Sequence, residues 1–456
     1  MTPRLFGSSG IRGVVGKDIT AEFAIKLGAS IGTWMGGSGE VALGYDTRVS
    51  SLPLSLALSS GLMAAGLNVH KMGLVPTPAL AYLTKKHEFD LGIMVTASHN
   101  PPEYNGFKLF NKEGVSYAPE DVEDLEDIIL EQKFSLVKWD RVGASLEDDL
   151  LLEYHEMLLS VHNFSRKLKV VVDVGNGATY KTTPFVLSRL GLEVKTVNAQ
   201  PDGNFPGRPP EPSEENLSML METVRLVGAD VGIAHDGDGD RIAVVDDKGR
   251  YVPQDVLLAL YAKLLLKEQG GGTVVINVDS SSVVDKVVEE LGGRVVRTKV
   301  GDVYIAKEVT RHGALFGGET SGAWIHPKYN MCPDGPLSAV LLLRYLDLLE
   351  VPLSQLVDGI PRYTMLRAKV RCPNHLKRKA LERIDEKVKS SDMPVDNVLT
   401  IDGYRYELED KSWVLIRPSG TEPLIRITVE SKDESQAKSI LDRCRRMVEE
   451  AVGEVA

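Results

Sequence analysis

The chain has 456 residues, 43% of them hydrophobic and 26% charged, with a formal net charge of -11. That length exceeds one compact core and implies about three or four domains at roughly 100 to 200 residues each, while the ordinary composition excludes a fibrous or disordered chain. The acidic balance argues against a general nucleic-acid binder, which needs a basic field to displace phosphate counterions, yet an anionic substrate fits wherever Arg and Lys cluster locally.

Cys332, Cys372 and Cys444 lie far apart and form neither a CxxC pair nor a disulfide framework, so a reduced, cytoplasmic setting is expected. The stretch carrying Arg4, Arg12 and Lys17 has no apolar leader core. Apolar runs at 257–266 and 337–349 are interrupted by Lys263, Arg344 and Asp347 and read as buried helices rather than membrane spans.

Short β-type runs alternate with longer helical segments, the pattern of α/β layers with strands covered on both faces. Strands are expected at 41–44 and 91–95. The second runs into Thr96-Ala97-Ser98-His99-Asn100-Pro101, with Asn105-Gly106-Phe107-Lys108 just behind it. A strand that stops in a short polar loop displays its last side chains at a sheet edge, so a serine, an imidazole and an ammonium group come within reach of chemistry. As a hydrolase nucleophile, Ser98 lacks a GxSxG elbow and an acid partner identifiable from sequence. As the carrier of a phosphoryl group it gives the metal loop and phosphate nest described next a common purpose. A histidine beside an Asn-Pro turn often just hydrogen-bonds its loop, so the reading of His99 depends on Ser98.

The strand expected at 169–174 ends in Gly175-Asn176-Gly177-Ala178, which lacks the third glycine spacing of a dinucleotide fingerprint and reads as a structural turn. The Pro-rich stretch 201–212 reads as a long internal loop. After a strand at 230–234 comes Asp236-Gly237-Asp238-Gly239-Asp240-Arg241. Alternating Asp and Gly can fold three carboxylates around one hard cation and leave room for an outside oxygen, as Mg²⁺ prefers. An acidic surface turn is the plain alternative. An EF-hand needs Gly at its sixth position and Glu at its twelfth, where this loop has Arg241 and Asp247.

Further strands are expected at 273–278, 294–297 and 315–316, and Val283, Val284, Val287, Val288 and Leu291 form a helical stripe. Leu315-Phe316-Gly317-Gly318-Glu319-Thr320-Ser321-Gly322 offers a carboxylate and two hydroxyls that could grip vicinal sugar hydroxyls, although Glu319 could as easily cap the next element. After Pro361 come charged helical stretches, a strand pair at 404–408 and 413–417, and a closing helix striped by Ile440, Leu441, Cys444, Met447, Val448 and Ala451. Arg417-Pro418-Ser419-Gly420-Thr421-Glu422-Pro423, with Arg426 beyond it, makes either a nest for phosphate oxygens or a capped turn. The chain thus divides into α/β blocks at 1–150, 151–255 and 256–365 and a smaller α+β domain at 366–456.

Taken together, Thr96 to Pro101, Asp236 to Arg241, Gly318 to Gly322 and Arg417 to Pro423 resemble, in this order and at these intervals, the α-D-phosphohexomutase superfamily; Phe6-Gly7-Ser8-Ser9-Gly10-Ile11-Arg12-Gly13 resembles its opening motif. The resemblance covers essentially the whole chain. It implies a heart-shaped protein of three similar α/β domains and a fourth similar to the TATA-binding-protein fold, each lending one loop to a central cleft. It further implies that Ser98 is the phosphoserine, that Asp236, Asp238 and Asp240 hold one Mg²⁺ with a phosphoserine oxygen, and that Glu319 and Ser321 hold sugar hydroxyls. Arg417, Ser419, Gly420, Thr421 and Arg426 match the phosphate clamp, and Arg12, His99, Lys108 and Arg241 match positions lining the reaction centre.

The implied reaction moves phosphate between O6 and O1 of a hexose through a 1,6-bisphosphate, with Mg²⁺ and Arg241 neutralising charge on the transferred group and Lys108 or His99 handling the hydroxyl proton. The loop Lys299-Val300-Gly301-Asp302-Val303-Tyr304 resembles the VGDRYV-type loop of phosphoglucosamine mutases, which puts Lys299 and Gly301 at the substrate and makes glucosamine phosphate the leading sugar; phosphomannomutase and phosphoglucomutase activity is the alternative. Where many members have His after the GExSG loop, this chain has Ala323 followed by Trp324, so that proton-handling or phosphate-contacting group is absent or supplied elsewhere, with His326 as a candidate. A metal-dependent sugar-phosphate phosphatase and a non-catalytic binding protein are rivals from other classes. The expected partner is a small phosphosugar, with no nucleic acid and no membrane, and the protein is expected as a monomer or homodimer.

Overall fold

Four sheets follow one another along the computed structural model, which describes residues 5–420 and 422–456. The first is built from β1 (Ile11–Val14), β2 (Glu40–Tyr45), β3 (Asn68–Leu74), β4 (Leu91–Val95), β5 (Tyr104–Asn111) and β6 (Ser145–Glu147) in the order β1-β5-β4-β2-β3-β6. Helices α1 (Ala21–Trp34), α2 (Ser51–Ala64), α3 (Thr77–Lys86) and α4 (Glu123–Glu131) accompany it. The apolar run Leu-Gly-Ile-Met-Val makes β4 a strand buried at every position, paired in parallel with β2 and antiparallel with β5. The β4–β5 register sets Lys108 opposite Met94, so the residues behind the serine loop belong to a strand.

The second sheet, in the order β10-β9-β7-β8, uses β7 (Lys169–Asp173), β8 (Glu193–Val197), β9 (Val231–Ala234) and β10 (Ala243–Val245), with α5 (Leu151–Leu159), α6 (Thr183–Arg189) and α7 (Ser218–Val227). The third, in the order β12-β11-β13-β14, contains β11 (Thr273–Asn277), β12 (Arg294–Thr298), β13 (Phe316–Gly318) and β14 (Trp324–Ile325). With it come α8 (Gln254–Gln269), α9 (Ser282–Glu290), α10 (Asp302–His312), α11 (Gly335–Leu349) and α12 (Leu353–Asp358). Both sheets are parallel except for one antiparallel edge strand. The apolar runs expected to be buried helices are α8 and α11.

The last unit differs. Its strands β15 (Thr364–Arg371), β16 (Val395–Leu399), β17 (Tyr404–Leu408), β18 (Trp413–Pro418) and β19 (Leu424–Ser431) form an all-antiparallel sheet in the order β15-β19-β18-β17-β16, with α13 (Lys377–Lys389) and α14 (Glu434–Val455). One hydrophobic cluster runs through the second and third sheets into α3 of the first, whereas the last unit has a core of its own. A small cluster of Val278, Trp413 and Leu415 joins it to the third sheet. No helix among the described residues is long and apolar enough to cross a membrane.

Candidate functional site

The loop after β4 is held from behind by a buried arginine. Arg48 Nη1 donates to the carbonyls of Pro101 and Tyr104 at 2.6 and 2.9 Å, Nη2 to those of Ser98 and Asn100 at 2.7 and 2.6 Å, and Nε to Asp46 at 3.1 Å. Asp46 also accepts from Thr96 Oγ1, which in turn accepts the Ser98 N–H at 2.8 Å. This network holds Ser98 at φ 50°, a left-handed conformation uncommon for any residue but Gly. Four carbonyls on one guanidinium fix the loop's shape before any ligand arrives.

Ser98 Oγ then points across to the second sheet. It donates to Asp236 Oδ2 at 2.6 Å and lies 3.3 Å from His99 Nδ1. Asp236, Asp238 and Asp240 follow β9, the strand whose apolar residues anchor the loop in the core, and each offers a carboxylate oxygen within 4.8 Å of the others. The turn at Gly175 to Ala178, expected to be structural, packs directly beneath: Ala178 N–H donates to Gly237 O at 2.9 Å. Burial first, and then the neighbouring carboxylates, push Asp236 up to about 6, Asp238 to about 7 and Asp240 to about 6. Asp238 Oδ1 and Asp240 Oδ1 are buried with no hydrogen-bond partner. Three repelling carboxylates with two orphaned oxygens are the donor set of a hard divalent cation, and these residues fit Mg²⁺.

Cations ring the triad. Lys108 Nζ pairs with Asp302 at 2.8 Å and Asp240 at 3.5 Å; burial acts to lower its pKa, but these two carboxylates outweigh it and hold it above the ordinary lysine value. Arg241 Nη1 lies 3.0 Å from both oxygens of Glu211, and that carboxylate with Asp236 and Asp240 offsets the cost of burial. Arg12 donates to Asn100 Oδ1 at 3.1 Å. His99 is held well below the usual histidine range by burial and by Arg241, Arg12 and Arg48, so its imidazole is neutral.

The third sheet supplies the far wall. Glu319 Oε1 accepts from Asn277 Nδ2 at 2.7 Å and from Gly301 N–H at 2.9 Å, and burial raises its pKa. Gly301 has φ 132°, and a Cβ there would lie 2.8 Å from that of Ser8, so only glycine lets this loop meet the N-terminal one. A cleft of about 380 Å³ results, lined by Arg12, Ser98, His99, Lys108, Asp240 and Arg241 on one side and by Gly301, Glu319, Ser321, Arg417 and Arg426 on the other. A second hollow of about 940 Å³, walled by Pro101, Phe205 and Pro210, opens beside it and shares His99.

Some expected residues fall elsewhere. Lys299 is exposed and does not line the cleft: β12 ends at Thr298, and the ammonium lies over the Tyr304 ring, 5.3 Å from its centroid. Ser419 and Gly420 lie outside its lining; Ser419 Oγ accepts the Glu422 N–H at 3.2 Å and Lys377 holds the Ser419 carbonyl at 2.6 Å. Thr421 lies outside the described residues. His326 does not replace the family histidine. It is buried against Phe316 and Tyr261, bonded to Ser338 Oγ at 2.8 Å, and burial drives its pKa down to about 3. Ala323 borders the cleft and forms a backbone bridge with Arg241.

Asp46, Arg48, Glu211 and Asn277 escaped the sequence reading, and Asp302 stood in a loop singled out there without a role of its own. The signal for Asp46 and Arg48 was present, since they too follow a strand; Glu211 sat inside the Pro-rich stretch read only as a loop.

Comparison with known proteins gives a consistent pattern. Models of the phosphoglucomutase/phosphomannomutase family match in sequence: alpha/beta/alpha domain I at residues 3–136, domain II at 152–249, domain III at 253–363 and the C-terminal domain at 368–447. A protein of Methanopyrus kandleri named "Probable phosphoglucosamine mutase" is 45% identical over 454 residues, 99% of each chain. One of the same name from Pyrococcus abyssi is 44% identical over 449 residues, 98% of each. Among solved structures, a phosphoglucomutase/phosphomannomutase family protein from Burkholderia thailandensis superposes with a TM-score of 0.88 at 30% identity, covering 99% of this chain and 98% of that one.

Proposed function

The chain belongs to the phosphoglucomutase/phosphomannomutase family and is a phosphohexose mutase, and from that premise we propose that it interconverts glucosamine 6-phosphate and glucosamine 1-phosphate by way of a phosphorylated Ser98. The observation that carries the reading is the 2.6 Å contact between Ser98 Oγ and Asp236 Oδ2, a nucleophile from one sheet set against a carboxylate triad from the next. The names of the full-length relatives support the choice of sugar.

Phosphoserine 98 donates its phosphoryl group to the free hydroxyl of the sugar phosphate, giving a hexose 1,6-bisphosphate; the sugar turns in the cleft, and Ser98 takes back the other phosphate. Asp236, Asp238 and Asp240 would hold Mg²⁺ together with a phosphoserine oxygen. When bound, the ion neutralises charge on the transferred group. Arg241 and Arg12 supply fixed N–H donors to the same oxygens. His99, neutral and 3.3 Å from Oγ, exchanges the reacting proton, while Lys108, kept a cation by Asp302 and Asp240, stabilises charge on the sugar side. Glu319 and Ser321 take the sugar hydroxyls, and Arg417 and Arg426 take whichever phosphate is not reacting.

Incubation of the Mg²⁺-loaded protein with glucosamine 1-phosphate tests the reading. Glucosamine 6-phosphate is the expected product, formed faster than the corresponding products from glucose and mannose 1-phosphates. Dominant release of inorganic phosphate would make the protein a phosphatase instead.

A further inference from the structure

Asp279 stands two residues past the end of β11 and lines the cleft with Asn277, Glu319 and Arg367. Its backbone N–H donates to Asn277 Oδ1 at 3.1 Å, and the same side chain donates from Nδ2 to Glu319 Oε1 at 2.7 Å, so both carboxylates are placed by one amide. The other carboxylates around the cleft each have a partner on at least one oxygen: Asp236 meets Ser98, Asp238 meets Thr77, Asp240 and Asp302 meet Lys108, and Glu319 meets Asn277 and Gly301.

Asp279 lies outside the metal triad, whose Asp238 and Asp240 likewise leave Oδ1 unpartnered but facing the ion's place. The Oδ1 of Asp279 is buried with no hydrogen-bond partner, and its ion pair with Arg367 is stretched to 3.9 Å, with the side chain 19% exposed. A carboxylate oxygen sealed away without a donor is costly unless a ligand brings one. Rotation about χ2 can turn either oxygen toward the cleft. The donor that suits it best is a cation, because a charge-assisted hydrogen bond is about twice as strong as a neutral one.

We propose that Asp279 binds the protonated 2-amino group of the substrate and so selects an amino sugar over hexoses carrying a hydroxyl there. This rests on the glucosamine phosphate reading above. The competing role is a latch, in which Arg367 closes onto Asp279 and ties the last domain to the third for every sugar alike. The two make different predictions.

The test is kcat/KM for glucosamine, glucose and mannose 6-phosphates, with the Mg²⁺-loaded phosphoenzyme, in the wild type, Asp279→Asn and Arg367→Ala. Loss of one hydrogen bond to a charged group predicts that Asp279→Asn loses about 10- to 100-fold on glucosamine 6-phosphate alone, staying within about threefold on the other two, while Arg367→Ala keeps the wild-type preference. Asp279→Ser gives the same readout if the Asn variant does not fold. Equal losses on all three sugars, or an unchanged preference in Asp279→Asn, would overturn the assignment. A wild type with no preference for glucosamine phosphate would instead overturn the substrate reading, and this inference with it.

Discussion

Ser98 and Arg426 face one cleft from opposite sides and are held in opposite ways. Ser98 is 1% exposed, its loop is gripped by four bonds from Arg48, and its oxygen is already against Asp236. Arg426 is 38% exposed, and its partner Glu422, four residues away in the same unit, is 44% exposed. The first three sheets share a continuous core through which the serine and metal loops are fixed, while the last unit meets the third sheet through a small cluster and a few polar contacts. Phosphoryl transfer needs reacting atoms held to a fraction of an ångström, whereas a clamp that receives either end of a turning sugar cannot be so tightly committed. On the proposed mechanism, rigidity is placed where the bond changes.

The contrast is most exposed to failure at Arg48. Replacing it with Met leaves four carbonyls and Asp46 without their donor, so stability should fall by about 3–5 kcal/mol; in the folded fraction kcat should drop at least about 100-fold with KM nearly unchanged. A variant whose KM rises while kcat holds would break the claim that Arg48 shapes only the reacting loop. On the other side Arg426→Ala should do the reverse, raising KM by about 10-fold with kcat within about threefold.

The three-carboxylate loop proposed to hold the metal gives a pH signature. Because burial raises Asp236, Asp238 and Asp240 to about 6, 7 and 6, the metal-free folded state binds more protons than the unfolded chain. Their ionisation therefore costs nothing below the unfolded carboxylate pKa of about 4, costs progressively more as pH rises, and is complete above about 7. Mg²⁺ should then raise Tm more at about pH 8 than at about pH 5.5, and a shift independent of pH would show that the triad is not the ion's site. The smallest effect is expected for Glu422→Gln, since an exposed ion pair is worth about 0–1 kcal/mol; KM should move by less than about threefold. A larger change would mean that Glu422 controls how Arg426 meets phosphate.

What could be read in advance follows the same division. Strands such as β4 and β9, and the loops they launch, were legible because a buried parallel strand is a continuous apolar run and its end is marked by Gly, Ser or Asp. Ser98 and the three Asp residues lie within such loops. Arg48 follows a strand as they do, but its role, like those of Glu211 and Asp302, was not legible because it is exerted on residues 30 to 194 positions away, and that of Asp279 because it turns on one oxygen left without a hydrogen-bond partner. Lys299 shows the converse limit: a motif places a loop near the substrate without fixing which of its side chains turns inward. His326 lay near Ala323 in sequence, but β14 carries the chain into an aromatic core.

On the proposed mechanism Ser98 carries the phosphoryl group. Protein labelled on Ser98 with radioactive phosphate, chased with unlabelled glucosamine 6-phosphate, should pass the label first to a hexose bisphosphate and then to the monophosphates, and Ser98→Ala should take up no label and lose at least about a thousandfold in rate. Label released directly as inorganic phosphate, or a Ser98→Ala protein of undiminished mutase activity, would contradict it.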